Sequence, residues 1–134
     1  MIVISKKIGL YTFLVSILAI LIYLFVYYLS VTDATNIRLE GYVFDEETKQ
    51  PINKVMIIIN NERYEDNKGN KNYDEYLGHD KIKLYSDKNG YYATIINKSA
   101  FLWLDFNKEG YLDVEEKGQY SEKKMEYKTF MKKN

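Results

Sequence analysis

"YSDKNGYYATI", residues 85–95, sets four polar residues between two runs of alternating apolar side chains. Asp87-Lys88-Asn89-Gly90 is therefore either a ligand-binding loop or a corner between strands. Its chemistry favours the corner. Asn89 and Gly90 tolerate positive φ, and the Asp87 side chain reaches backbone amides ahead of it. Ile82 and Leu84 alternate before the corner and Tyr91, Ala93 and Ile95 after it, so the stretch predicts a hairpin.

Working outward, the same period of two continues. In "IRLEGYVFD" (37–45), Ile37, Leu39, Gly41 and Val43 share one face. "EETKQP" breaks the strand with polar residues and the only proline, and "NKVMIIIN" (53–60) follows as a nearly continuous apolar run, the pattern of a central strand. Residues 60–80 have no clean period and predict a long loop. "FLWLDFNKEGYL" sets Leu102, Leu104 and Phe106 against Phe101, Trp103 and Asp105. "KMEYKTFMK" alternates Met125, Tyr127, Thr129 and Met131 with charged residues and Phe130. Six or seven short strands without a long helical pattern predict a small β-sandwich.

The first thirty residues differ in kind. No charge falls between Lys7 and Asp33, and nearly every position is apolar. As a helix, residues 8–29 would span about 33 Å at about 1.5 Å per residue, enough for a hydrocarbon core of about 30 Å. Lys6 and Lys7 precede the run and Asp33 is the first charge after it, so the positive-inside bias puts the N-terminus in the cytoplasm. Tyr27 and Tyr28 fall at the outer end, where amphipathic rings favour the interface. Small residues at Ser30 and Thr32, or Thr32 and Ala34, would suit signal cleavage. The run is longer than the 7–15 residues or so of a signal h-region, so an uncleaved signal anchor is expected. The expected organisation is a short cytoplasmic N-terminus (1–7), a transmembrane helix in contact with lipid (8–29), a linker (30–36) and an extracytoplasmic sandwich (37–134).

Composition removes several function classes. Among 134 residues, 19 basic side chains balance 19 acidic ones, so no global field attracts nucleic acid and no nucleic-acid partner is expected. The absence of cysteine rules out disulfides, thiolate metal sites, a Cys nucleophile and lipoprotein acylation. His79 is the only histidine and no "GxSxG" elbow exists, so a non-catalytic domain with no cofactor or metal is expected.

At the level of a family, Gly41-Tyr42-Val43-Phe44-Asp45, Thr48, Pro51-Ile52, Val55 and Ile57 resemble the opening strand pair of the carboxypeptidase regulatory-like family. Ser86-Asp87-Lys88-Asn89-Gly90-Tyr91 is similar to that family's "T-D-x-x-G-x-[FY]" corner, and Glu109-Gly110-Tyr111 to its later "G-[FY]" turn. Lys49 stands where a glycine usually follows Thr48, and Asn53-Lys54 where another usually follows Pro51-Ile52. The resemblance, over residues 37 to about 112, implies a transthyretin-like β-sandwich. It further implies an accessory or adhesive module of a bacterial envelope, periplasmic if the cell is Gram-negative, that docks an envelope protein. The related hydroxyisourate hydrolases need several histidines, which this chain lacks.

Two candidate surfaces follow from the residues. Tyr42, Tyr85 and Tyr92 are expected on the polar faces of neighbouring strands, an outer patch for a protein partner. The alternative is a small-ligand binder for carbohydrate or calcium on the 60–80 loop, with Asp66, Asn70, Asp74 and Glu75 as candidate ligands. Gly69 is fourth counting from Asp66 where an EF-hand needs its glycine sixth, so a solvated loop is the simpler expectation. The lysine-rich C-terminal stretch reads as a charged edge strand, which discourages sheet-to-sheet aggregation.

Overall fold

In the computed structural model, residues 2–30, 32–72 and 74–134 are described, with the side chains of 2–4 and 28–30 excepted. The interface position expected of Tyr28 lies outside the described residues. So does Tyr73.

The N-terminal unit is one helix, α1 (Ile2–Ser30). Its segment Ser5–Tyr27 is long and apolar enough to cross a membrane. Ile8, Leu10, Tyr11, Phe13, Ile20 and Tyr23 are exposed around its circumference. Two of its hydroxyls are satisfied locally, Thr12 Oγ1 donating to the Ile8 carbonyl and Ser16 Oγ to that of Thr12, both at 2.9 Å. That is the economy an apolar solvent demands, because it offers no competing partner.

The second unit, Asp33–Asn134, is a sandwich of seven strands. These are β1 (Ala34–Asp45), β2 (Met56–Arg63), β3 (Gly78–Tyr85), β4 (Tyr91–Ser99), β5 (Phe101–Asn107), β6 (Val114–Tyr120) and β7 (Lys124–Met131). One sheet has the order β4-β1-β7 and the other β3-β2-β5-β6. The first and last strands, β1 and β7, run parallel, and every other pair is antiparallel. The faces expected of β1, β5 and β7 are the observed ones. Ile37, Leu39, Val43, Val55, Ile57, Ile59, Leu102, Leu104 and Met131 are fully buried between the sheets. Each such side chain contributes roughly 1.5–3 kcal/mol by leaving water. β2 is central, as its apolar run suggested, flanked by β3 and β5.

Four expectations change. β1 begins at Ala34, because Ala34 and Thr35 pair with Ser99 and Lys98, so the strand takes in the last three residues of the expected 30–36 linker. The long loop is shorter than 60–80: β2 runs on through Arg63 and β3 starts at Gly78, with Asn61 and Arg63 turned into the interior. β6 went unread in the sequence because "VEEKGQY" carries no apolar alternation.

The hairpin is the fourth change. β3 and β4 belong to different sheets, and residues 86–90 carry the chain across the sandwich. Alternating flanks describe a hairpin and a cross-sheet corner equally well, and what decides is where the corner is held. Val43 N–H donates to the Gly90 carbonyl at 2.9 Å, and a Cβ on Gly90 would fall 2.4 Å from the Val43 oxygen. The turn is thus pinned against β1. Just before it, the buried Ser86 hydroxyl donates to the Ile52 carbonyl at 2.7 Å and accepts the Val55 amide at 2.9 Å, next to β2. Two attachments, one to each sheet, force the crossing.

Candidate functional site

The corner itself is architecture. Asp87 Oδ1 accepts the amides of Asn89 (2.8 Å) and Tyr91 (3.0 Å), and only Gly90, at φ 73°, uses the left-handed region there. The Asp87 carboxylate is spent on the turn. Asp45 plays the matching part at the end of β1, accepting the Glu47 and Thr48 amides at 2.9 Å and the Tyr111 hydroxyl at 2.8 Å. The Thr48 amide and then the Tyr111 hydroxyl pull its carboxyl down from 3.8 to about 2.

The three candidate tyrosines fall in three different places. Tyr42 is on the outer face of the three-stranded sheet, 45% exposed, and Tyr85, 58% exposed, is on the outer face of the other sheet. Tyr92, expected outside, is in the core at 3% exposure. The register explains the correction: Tyr92 pairs with Gly41, and a Cβ on Gly41 would sit 2.4 Å from the Tyr92 hydroxyl. Only glycine leaves room for the ring. Since "YYATII" is apolar on both faces, periodicity could not choose, and Tyr92 and Ile96 point inward while Ala93 and Ile95 point out. Burial raises the Tyr92 phenol above its ordinary value, and its hydroxyl has no hydrogen-bond partner among the described residues.

Around Tyr42 the outer face forms one connected surface. Its ring lies 5.1 Å from Tyr91 and 6.1 Å from Phe44, and Phe44 lies 5.8 Å from Phe130. Lys49 Nζ sits 4.7 Å above the Phe130 ring, and Lys128 Nζ 5.6 Å above Phe44, both within cation–π range. Beside it, a shallow depression of about 440 Å³ is lined by Glu40, Gly41, Tyr42, Tyr91, Glu126, Tyr127 and Lys128. The Tyr91 hydroxyl donates to Glu40 at 2.7 Å and holds that carboxyl below its ordinary value. Phe44, Phe130, Lys49 and Lys128 were missed in the sequence. Phe44 meets Phe130 only through the parallel β1–β7 register, which joins the two ends of the sandwich chain.

The acidic loop is organised by a buried arginine. Arg63, 8% exposed, donates to Asp80 at 2.7 and 3.3 Å, to the Glu65 carbonyl at 2.8 Å and to Asn67 Oδ1 at 2.9 Å. Gly78 makes room for the guanidinium, since a Cβ there would stand 2.6 Å from its central carbon. Asp66 and Asn70 do come together, as partners in a tight turn in which Asp66 accepts the Lys68 and Asn70 amides and the Asn70 side chain. The Asn70 side chain is the main cause of the lowered Asp66 carboxyl. Asp74 and Glu75 are exposed, the Asp74 amide donating to Asn72 Oδ1 at 2.9 Å. Among the described residues no group of three or more acidic or histidine side chains has metal-holding geometry. The cations that meet the loop come from neighbouring strands, Arg63 on β2 and Lys98 on β4, the latter 3.0 Å from Glu65.

Two further features were not read in the sequence. Along the outer face of the four-stranded sheet, the loop tyrosines Tyr64 and Tyr76 meet at a tilt 5.2 Å apart, Tyr76 stacks on Phe101 at 6.3 Å, and the band continues onto Trp103 and Tyr120. His79 lies against Glu62 on the same face. Between β3 and β4 a cleft of about 610 Å³ is lined by Arg63, Asp80, Ile82, Ile95, Asn97 and Lys98, among others.

The fold and these surfaces define a β-sandwich domain that follows an apolar helix. No protein-family model matches the chain, and no curated protein matches it. Among solved structures, 3-chlorocatechol 1,2-dioxygenase from Rhodococcus opacus 1CP is similar over 76% of this chain and 61% of its own, at 16% identity and TM-score 0.54. The chain thus spans less than two thirds of that dioxygenase, and the likeness is one of fold alone. A 9R-lipoxygenase from Cyanothece PCC8801 is similar over 72% of this chain and 16% of its own, at 11% identity and TM-score 0.42.

Proposed function

We propose that this protein is a membrane-anchored, non-catalytic β-sandwich of the carboxypeptidase regulatory-like kind, exposed outside the cytoplasm of a bacterium, that docks an envelope protein. The observation that carries the docking role is the outer face Tyr42-Phe44-Tyr91-Phe130 with Lys49 and Lys128 above its rings. Large rings with few rotatable bonds, edged by cations, are the composition of a protein-binding hot spot. The non-catalytic reading rests on the donor set: one histidine, held by Glu62, and no cysteine.

Support for the family comes from its own departures. Lys49 and Lys54, standing where glycines are usual, have φ of 62° and 58°. They keep a backbone shape that glycine adopts without cost. Lys54→Gly is expected to raise stability by about 0.5–1 kcal/mol, read by urea unfolding, and a loss of stability would remove this support.

The docking role is tested by crosslinking and affinity capture of the full-length protein in its native membrane, beside a version with the helix replaced by an unrelated anchor. Recovery of one envelope complex with both, lost in Tyr42→Ser/Phe130→Ser, is the expected result. Capture that survives the double variant, or that follows the helix, overturns it. A processed form lacking residues 1–30 in the native membrane would replace the anchor with a cleaved signal.

A second reading, carbohydrate binding, is favoured by the band Tyr64-Tyr76-Phe101-Trp103-Tyr120, because aromatic faces stack on sugar rings. Trp103 is the only tryptophan, so its fluorescence reports that face alone. A saturable change with peptidoglycan fragments would establish this reading, and no change at millimolar fragment would end it.

A further inference from the structure

The sandwich has four edge strands: β4 and β7 in one sheet, β3 and β6 in the other. An edge strand presents unpaired backbone donors and acceptors, and charges along it are the usual protection against pairing with another chain. Three edges follow that rule. β3 carries Asp80, Lys81 and Lys83, β6 carries Glu115, Glu116 and Lys117, and β7 carries Lys124, Glu126 and Lys128. β4 does not: from Tyr91 through Asn97 it has no charge and no proline, and its single lysine, Lys98, comes one residue before its end.

The rest of the edge agrees with the pattern. Ile95 is 69% exposed, the most exposed aliphatic side chain of the sandwich. The cleft between β3 and β4 runs beside Ile95, Ile96, Asn97 and Lys98, so the neighbouring sheet does not cover that stretch. β4 is paired on its other side to β1 along nearly its whole length, which holds it extended.

We propose that β4 is a self-pairing edge, and that two copies of this chain join β4 to β4, antiparallel, into one continuous six-stranded sheet. Self-complementarity is what selects a second copy as the occupant. About a two-fold axis at Thr94, the outward residues meet as Ala93 with Ile95 and Tyr91 with Asn97, a small side chain opposite a large one each time. Thr94 meets its own equivalent, a favourable cross-strand pair. Lys98 falls opposite Gly90, so no like charges oppose. An isologous contact of this kind closes after two copies and leaves no further edge of the same type. The inference rests on sheet topology and charge pattern, independently of which partner the tyrosine face binds.

The absence of cysteine makes the test direct. Single substitutions Ala93→Cys, Thr94→Cys and Ile95→Cys, with Lys83→Cys on β3 as the control, are introduced into the full-length protein in detergent micelles and in lipid vesicles. A short bis-maleimide is expected to give a covalent dimer at the three β4 positions and none at position 83. Ile95→Lys and Ala93→Lys, both on outward-facing positions, are expected to weaken the dimer at least tenfold by native mass spectrometry while circular dichroism and thermal unfolding keep the sandwich intact. A monomeric wild type overturns the proposal. So does a dimer indifferent to both lysine variants, which would assign association to the helix, and so does crosslinking from β4 in native membrane to a different protein.

Discussion

The two open sides of the sandwich are built on different principles. At the β6/β7 side, side chains tie one sheet to the other. Thr129 donates to Glu116 at 2.7 Å, Gln119 to the Tyr127 hydroxyl at 2.6 Å, and Tyr111 to Asp45 at 2.8 Å. The chain end adds to the closure, Leu112 N–H reaching the Lys132 carbonyl and Asn134 N–H that of Gly110. At the β3/β4 side the cleft remains. Its cross-sheet contacts are Asn61 Nδ2 to the Lys98 carbonyl at 2.9 Å and, at the solvent edge, the Lys98 ammonium to Glu65 at 3.0 Å, while Arg63 holds Asp80 and the loop within its own sheet. The difference teaches that a sandwich can seal one side with polar bonds and leave the other available, and that the available side is the one whose strand β4 lacks charge.

Substitutions at each side sharpen this contrast. The largest effect is expected from Arg63→Met, which strands Asp80 and frees the loop: a loss of about 3 kcal/mol, at the low end for a broken buried pair because Asp80 is partly solvated. Urea unfolding measures it, and a loss below 1 kcal/mol would mean that the loop holds itself together. On the sealed side, Thr129→Val removes a bond to a carboxylate in a fully buried position and is expected to cost about 2 kcal/mol. If it proves as harmless as Ile95→Lys, the two sides do not differ in the way described.

The sealed side also gives a pH dependence. Asp45, with its carboxyl at about 2 against an ordinary 3.8, contributes stability that is complete above pH 4 and lost as pH falls through 2. Acid titration of the unfolding midpoint is expected to show that window and to lose part of it in Tyr111→Phe. An unchanged acid profile in that variant would separate Tyr111 from the carboxyl. Smallest of all is Tyr92→Phe. Deleting a buried hydroxyl without a partner is expected to leave stability unchanged or slightly higher, whereas a loss above 1 kcal/mol would show that the hydroxyl is bonded after all.

Of the candidate surface, Tyr42 was legible because β1 alternates cleanly: its inward positions are Ile37, Leu39, Gly41 and Val43, so Tyr42 must face out. Tyr85 was placed on an outward face correctly but on the wrong sheet, and Tyr92 on the wrong face. The first error comes from the reading of 82–95 as a hairpin and the second from "YYATII", which is apolar on both faces. The loop acids were found as a cluster in sequence, yet Arg63, which organises them, sits in a strand the period did not reach.

What the sequence determined by itself are the properties written in neighbouring residues. The uncharged apolar run defines a helix long enough to cross a membrane, the alternation of β1, β5 and β7 defines their buried faces, and Asp87 with Gly90 defines a corner. Only the tertiary structure decided that the corner crosses between sheets, that β1 lies parallel to β7, and that Tyr92 turns inward over Gly41. These depend on which strand lies alongside, and that choice is made between residues far apart in the chain. Local side-chain period carries no record of it.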